Sequence, residues 1–139
     1  MRAAYLDSSV ILRVVLGQPH NLAALLPELE PFTSVLTQVE CRRALDRLRF
    51  ADSSLGEALV DKWAVLARVF RSLSVVQLGP RILTDAGQLL PLPLATLDAL
   101  HLATAGAVRA RHSLDLVFAT HDRQLGRAAA AVGFEVVGV

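Results

Sequence analysis

The chain is short of almost everything that would make a quick diagnosis possible. Among its 139 residues there is one cysteine, Cys41, so an intrachain disulfide and a cysteine-rich zinc site are both excluded, and Cys41 reads as a small buried hydrophobe. Net charge is also missing: the formal value of +1 sets up no field strong enough to draw in nucleic acid or an anionic surface. Lysine is nearly absent, Lys62 being the single one, so the basic residues are almost all arginine. No apolar stretch reaches the roughly 20 residues of a spanning helix before charge or proline interrupts it. Asp7 and Arg13 break the layout of a secretory leader, and a soluble, cytoplasmic protein is expected.

What the chain does have is apolar content. The hydrophobic fraction is 53% and mean hydropathy is +0.46, enough for a large core and for some apolar surface left to a partner. The length suits one domain spanning 1–139, and neither a repeat nor a linker divides it.

Ala3-Ala4-Tyr5-Leu6 reads as a strand, Asp7-Ser8-Ser9 as a cap, and Val10 to Leu16 as a helix broken by Gly17-Gln18-Pro19. A short helix is expected from Asn21 to Leu26 and a strand from Phe32 to Val35. From Ser34 or Thr37 to Phe50 the spacing predicts an amphipathic helix carrying arginines; Asp52-Ser53-Ser54 caps the next, whose apolar stripe includes Trp63 and Phe70. A strand over Ser74 to Leu78, a helix from Gly79-Pro80 through Leu90, and a stop at Pro91-Leu92-Pro93 follow. Thr96 caps a helix running to about Arg109, Leu114 to Ala119 is an apolar strand, Asp122 to Ala131 is helical, and Phe134 to Val137 closes the series. Strands apolar along their length and alternating with helices predict a three-layer α/β/α fold around a parallel sheet.

Four acids stand out within that order. Singly, each has an ordinary role: Asp7 and Asp122 as helix caps, Asp98 as a first-turn carboxylate favouring the helix dipole, Glu40 as a solvated helical side chain. Together they matter more, because Asp7 and Asp122 directly follow strands, and the carboxyl ends of strands in an open α/β sheet form the ligand crevice. Asp98 and Glu40 can face the same edge. Such a cluster repels itself, and no lysine or arginine lies beside all four in sequence. A hard divalent cation, Mg²⁺ or Mn²⁺, is the expected compensation, and phosphodiester hydrolysis the chemistry it serves.

Tyr5-Leu6-Asp7-Ser8-Ser9, Thr37-Gln38-Val39-Glu40, Leu97-Asp98-Ala99-Leu100-His101-Leu102-Ala103 and Phe118-Ala119-Thr120-His121-Asp122, in this order, make the whole chain resemble the PIN-domain nucleases, specifically the VapC-type toxins of bacterial toxin–antitoxin pairs. The resemblance implies a five-stranded parallel sheet, Mg²⁺- or Mn²⁺-dependent endoribonuclease activity, a bound antitoxin protein and a homodimer. Carried over by position, it makes Asp7, Glu40, Asp98 and Asp122 the acidic site and Ser9 and Thr120 its supporting hydroxyls. Asp115, His101 and His121 are nearby alternatives for a metal or proton role. Arg42, Arg43 and Arg47 follow Glu40 and could hold RNA phosphates, with Arg109 and Arg111 weaker choices. The competing functions are a non-cleaving module that binds antitoxin or RNA and takes part in autorepression, and a metal phosphatase acting on small molecules.

Overall fold

The computed structural model describes residues 1–112 and 115–139. Leu114, the expected start of the fourth strand, lies outside the described residues. Strand β1 (Arg2–Leu6) leads into helix α1 (Ser8–Val15), and β2 (Leu29–Ser34) into α2 (Val35–Ala51) and α3 (Gly56–Arg71). After β3 (Ser74–Val76) come α4 (Pro80–Ala86) and α5 (Thr96–His112), then β4 (Val117–Ala119), α6 (Arg123–Ala131) and β5 (Glu135–Val137). The five strands form one parallel sheet in the order β3-β2-β1-β4-β5, with Tyr5 opposite Phe32 on one side and Phe118 on the other.

The strand period of two divides the core. Tyr5 and Phe118 point to one face, where they stack at 5.3 Å between centroids and meet Leu102 of α5 and Leu125 and Ala128 of α6. Ala4, Leu6, Val117 and Ala119 point to the other, against Val10 and Ile11 of α1, Cys41 and Leu45 of α2, and Leu66 of α3. Helices therefore cover both faces, which is why the strands are apolar along their whole length. Trp63 is partly exposed on α3, whereas Phe70 is buried in the core.

Cys41 is fully buried, its sulfur 3.9 Å from the Ser8 carbonyl. Burial, and secondarily the charges of Glu40 and Asp7, push its thiol up to about 12.

Several expected elements are corrected. No α-helix forms over Asn21 to Leu26; the Asn21 side chain accepts from Ala23 N at 3.0 Å and donates to Gln18 O at 2.8 Å, so it competes with the helical ladder, and a single 3-10 turn at Leu26–Glu28 follows. Helix α4 stops at Ala86 instead of Leu90, because Gly87 closes it with bonds to Leu83 O and Thr84 O. The chain beyond it lays Leu90, Leu92 and Leu94 against the core as a loop. Val35 begins α2 rather than ending β2, the Ser34 hydroxyl capping it at Leu36 N (3.1 Å). Helix α5 continues to His112, past Arg109.

Leu45 is fully enclosed between α2 and the sheet, whereas Phe50, five residues along the same helix, is exposed. In urea unfolding, Leu45→Ala should cost about 2–5 kcal/mol, and Phe50→Ala less than about 0.5 kcal/mol. Equal losses would contradict the core assignment.

Candidate active site

Strand β1 sends its chain to α1 on one face of the sheet, and its neighbour β4 sends its chain to α6 on the other. Adjacent parallel strands whose connections part in opposite directions leave a crevice at their carboxyl ends. Asp7 sits there, 3% exposed, its backbone N–H donating to Ala119 O at 3.2 Å. Asp7 Oδ1 accepts from Ser9 Oγ at 2.6 Å and from Val10 N at 3.3 Å, the second bond capping α1. Asp7 Oδ2 accepts from Thr120 Oγ1 at 2.7 Å. With two lone pairs per oxygen, Oδ1 is saturated and Oδ2 keeps one free. Burial raises the Asp7 carboxyl above its ordinary value despite these donors.

The loop after β4 is tied to Asp7 through the same hydroxyls. Thr120 Oγ1 accepts from Asp122 N at 3.0 Å, and Ser9 Oγ accepts from His121 N at 2.9 Å. The His121 ring reaches Gly138 O through Nδ1 at 2.8 Å, while its Nε2 is buried without a partner among the described residues. Gly138 has φ +100°, and a Cβ there would lie 2.5 Å from Thr120 O, so both the backbone angle and the space call for glycine.

Asp122, exposed, caps α6 at Leu125 N (3.1 Å). Asp98 lies half-buried in the first turn of α5; burial raises its carboxyl, and the charges of Asp122, Asp7 and Glu40 raise it further against the pull of His101. Glu40, on the second turn of α2, is held by His101 Nε2 at 2.5 Å and receives Ser8 Oγ at 3.3 Å.

The four acids thus share one end of the sheet and feel one another's charge, but among the described residues no three His, Cys, Asp or Glu side chains form a ready-made metal cage. The donor chemistry still fits Mg²⁺ or Mn²⁺: all donors are hard oxygens, and Mg²⁺ keeps most of its waters and needs only one or two direct carboxylates.

Other residues are sorted by position. Asp115 precedes β4, at the opposite end of the sheet, exposed and 3.5 Å from Arg2, which separates it from the acids. Arg43 and Arg47 line a groove with Glu40, Val39 and Leu97; Arg42 instead faces Trp63 and Phe70 in a different groove, which splits the expected arginine trio. Arg109 donates to Val132 O at 3.2 Å and lies over the Phe134 ring at 3.9 Å, a packing role. Arg111 is exposed near the far end of α5. Tyr5 and Ser8, which the sequence reading passed over, both touch this network. A signal for Tyr5 existed: two residues before Asp7 on β1, it is the one tyrosine in the chain, and a buried tyrosine hydroxyl needs a partner.

Residues 4–131 match the PIN domain family. The chain is 34% identical over 142 residues to ribonuclease VapC46 of Mycobacterium tuberculosis, covering 99% of this chain and 98% of that protein. The fold is similar to the crystal structure of VapBC2 from Rickettsia felis bound to a DNA fragment from their promoter (TM-score 0.65, 14% identity, 97% of each chain). It is also similar to that of PAE2754 from Pyrobaculum aerophilum (TM-score 0.59, 18% identity, 99% of this chain and 84% of that one).

The raised Asp98 carboxyl has a thermodynamic consequence. The folded chain holds the Asp98 proton to higher pH than the unfolded chain, so Asp98 favours folding below the ordinary value of 3.8 and loses that contribution as pH rises through its folded value. Without divalent cation, Asp98→Asn should melt above the wild type at pH 7, with the gap closing below 3.8. Thermal scans across pH check this; an Asn variant melting below the wild type at pH 7 would contradict it.

Proposed function

The chain belongs to the PIN-domain family, among its VapC-type ribonucleases, and from that premise we propose that it is the toxin of a toxin–antitoxin pair, an Mg²⁺- or Mn²⁺-dependent endoribonuclease that hydrolyses RNA phosphodiester bonds at Asp7, Glu40, Asp98 and Asp122. The observation that carries this reading is the Asp7 carboxylate: buried, fixed by three donors, and left with one oxygen lone pair free beside the mutually repelling Asp98 and Asp122.

Asp7, Asp98, Asp122 and Glu40 would hold the ion. Bound there, the ion supplies an acidified water as nucleophile and a charge to support the leaving oxygen. Ser9 and Thr120 set the orientation of Asp7, and because each hydroxyl also accepts from the β4–α6 loop, they set Asp7 and Asp122 relative to each other. Arg43 and Arg47, one helical turn apart on the Glu40 side, are placed to hold phosphates away from the scissile one, which favours a chain over a small phosphate ester as substrate. An antitoxin protein, a homodimer, a single domain over 1–139 and a cytoplasmic setting belong to the same proposal.

Purified protein should cleave RNA with Mg²⁺ or Mn²⁺, stop when EDTA is added and resume when the cation is restored. Asp7→Asn should lose more than the roughly 10–100-fold typical of a supporting residue. A folded Asp7→Asn variant that cleaves at the wild-type rate would overturn the reading.

A further inference from the structure

The hydrogen-bonded chain from Tyr5 through His101 to Glu40 lies beside the acids without being one of them. His101 is 1% exposed; Tyr5 Oη lies 2.7 Å from its Nδ1 and Glu40 Oε1 lies 2.5 Å from its Nε2. We propose that Tyr5 and His101 are positioning residues: the Tyr5 hydroxyl fixes the His101 ring through Nδ1, and Nε2 of that ring aims the Glu40 carboxylate into the crevice. The inference rests on the nuclease reading above.

The order of donors follows from what each group can do. An ionised carboxylate only accepts, so the proton between His101 and Glu40 belongs to Nε2. Tyr5 keeps its own proton, because burial and the charges of Asp7 and Glu40 raise it well above 10.0. Every polar atom of the buried imidazole is then satisfied.

Position makes this more than a well-paired core histidine. Glu40 stands on α2 and His101 on α5, helices that cover opposite faces of the sheet, so their bond crosses its carboxyl edge. His101 is three residues from Asp98, on the same side of α5. One helix thereby delivers Asp98 to the crevice and the group that holds Glu40, and the separation of these two acids is set by a rigid element. Tyr5, two residues from Asp7 on β1, ties the same assembly to the strand that carries Asp7.

Spectra of the metal-free protein with ¹⁵N-labelled histidine test the two bonds directly: Tyr5→Phe should move the His101 Nδ1 resonance, and Glu40→Gln its Nε2 resonance. In RNA cleavage, Tyr5→Phe should lower kcat about 10-fold and His101→Leu about 100-fold, the range for supporting residues, with KM unchanged. His101→Gln, whose amide can donate to Glu40, should recover most of the loss at matched Tm. Equal kcat for Leu, Gln and wild type overturns the proposal; so does a Tyr5→Phe or Glu40→Gln spectrum identical to wild type. Failure of the wild type to cleave any RNA overturns the nuclease reading instead, and the spectra alone then decide whether the Tyr5–His101–Glu40 bonds hold.

Discussion

Burying one carboxylate at a strand end is the constraint on which the rest of this molecule depends. Asp7 has lost almost all its water, and an ionised group in that position persists only with dedicated donors. Those donors come from two places in the chain: Ser9 and Val10 in α1, and Thr120 after β4. Because Ser9 and Thr120 also accept from the backbone of the β4–α6 loop, solvating Asp7 and shaping that loop are one task. Even Gly138 is drawn in, since only a residue without a side chain can pass so close to Thr120 O. Desolvation remains the largest influence on Asp7, so the folded chain carries unfavourable electrostatics that a cation can offset.

Topology decides where that burden falls. In the order β3-β2-β1-β4-β5, the neighbours β1 and β4 are followed by helices on opposite faces, and both end in short capping segments. The same aspartates that terminate strands and start helices therefore line the crevice. Capping and ligand holding are compatible here because a carboxylate has lone pairs to spare: Asp7 caps α1 through Oδ1 and leaves Oδ2 partly free, and Asp122 caps α6 through Oδ1.

The parallel sheet and its covering helices were legible because period and punctuation agree along most of the chain: continuous apolar strands, capping residues after them, and Gly or Pro at the breaks. Where the reading went astray, a local side-chain bond or a glycine outweighed the pattern, as at Asn21 and Gly87. The placement of Asp7 and Asp122 could be argued from strand ends, whereas Glu40 leaned on likeness to a family. Its bond to His101 spans 61 residues and joins helices on opposite faces, and no local spacing encodes such a pairing. The division of the arginines was readable in principle: consecutive helical residues point about 100° apart, so Arg42 and Arg43 could not share a flank, while Arg43 and Arg47 could.

The sealed thiol under Ser8 has a practical meaning. Cys41 adjoins Glu40 on α2, fully buried and with its proton held up to about 12, so at neutral pH it is neither ionised nor within reach of an alkylating reagent. Reaction requires the packing around Cys41 to open. The rate at which a thiol reagent labels the native chain is therefore a clock for the breathing of the wall on which Glu40 stands, and the protein carries that clock without any added probe.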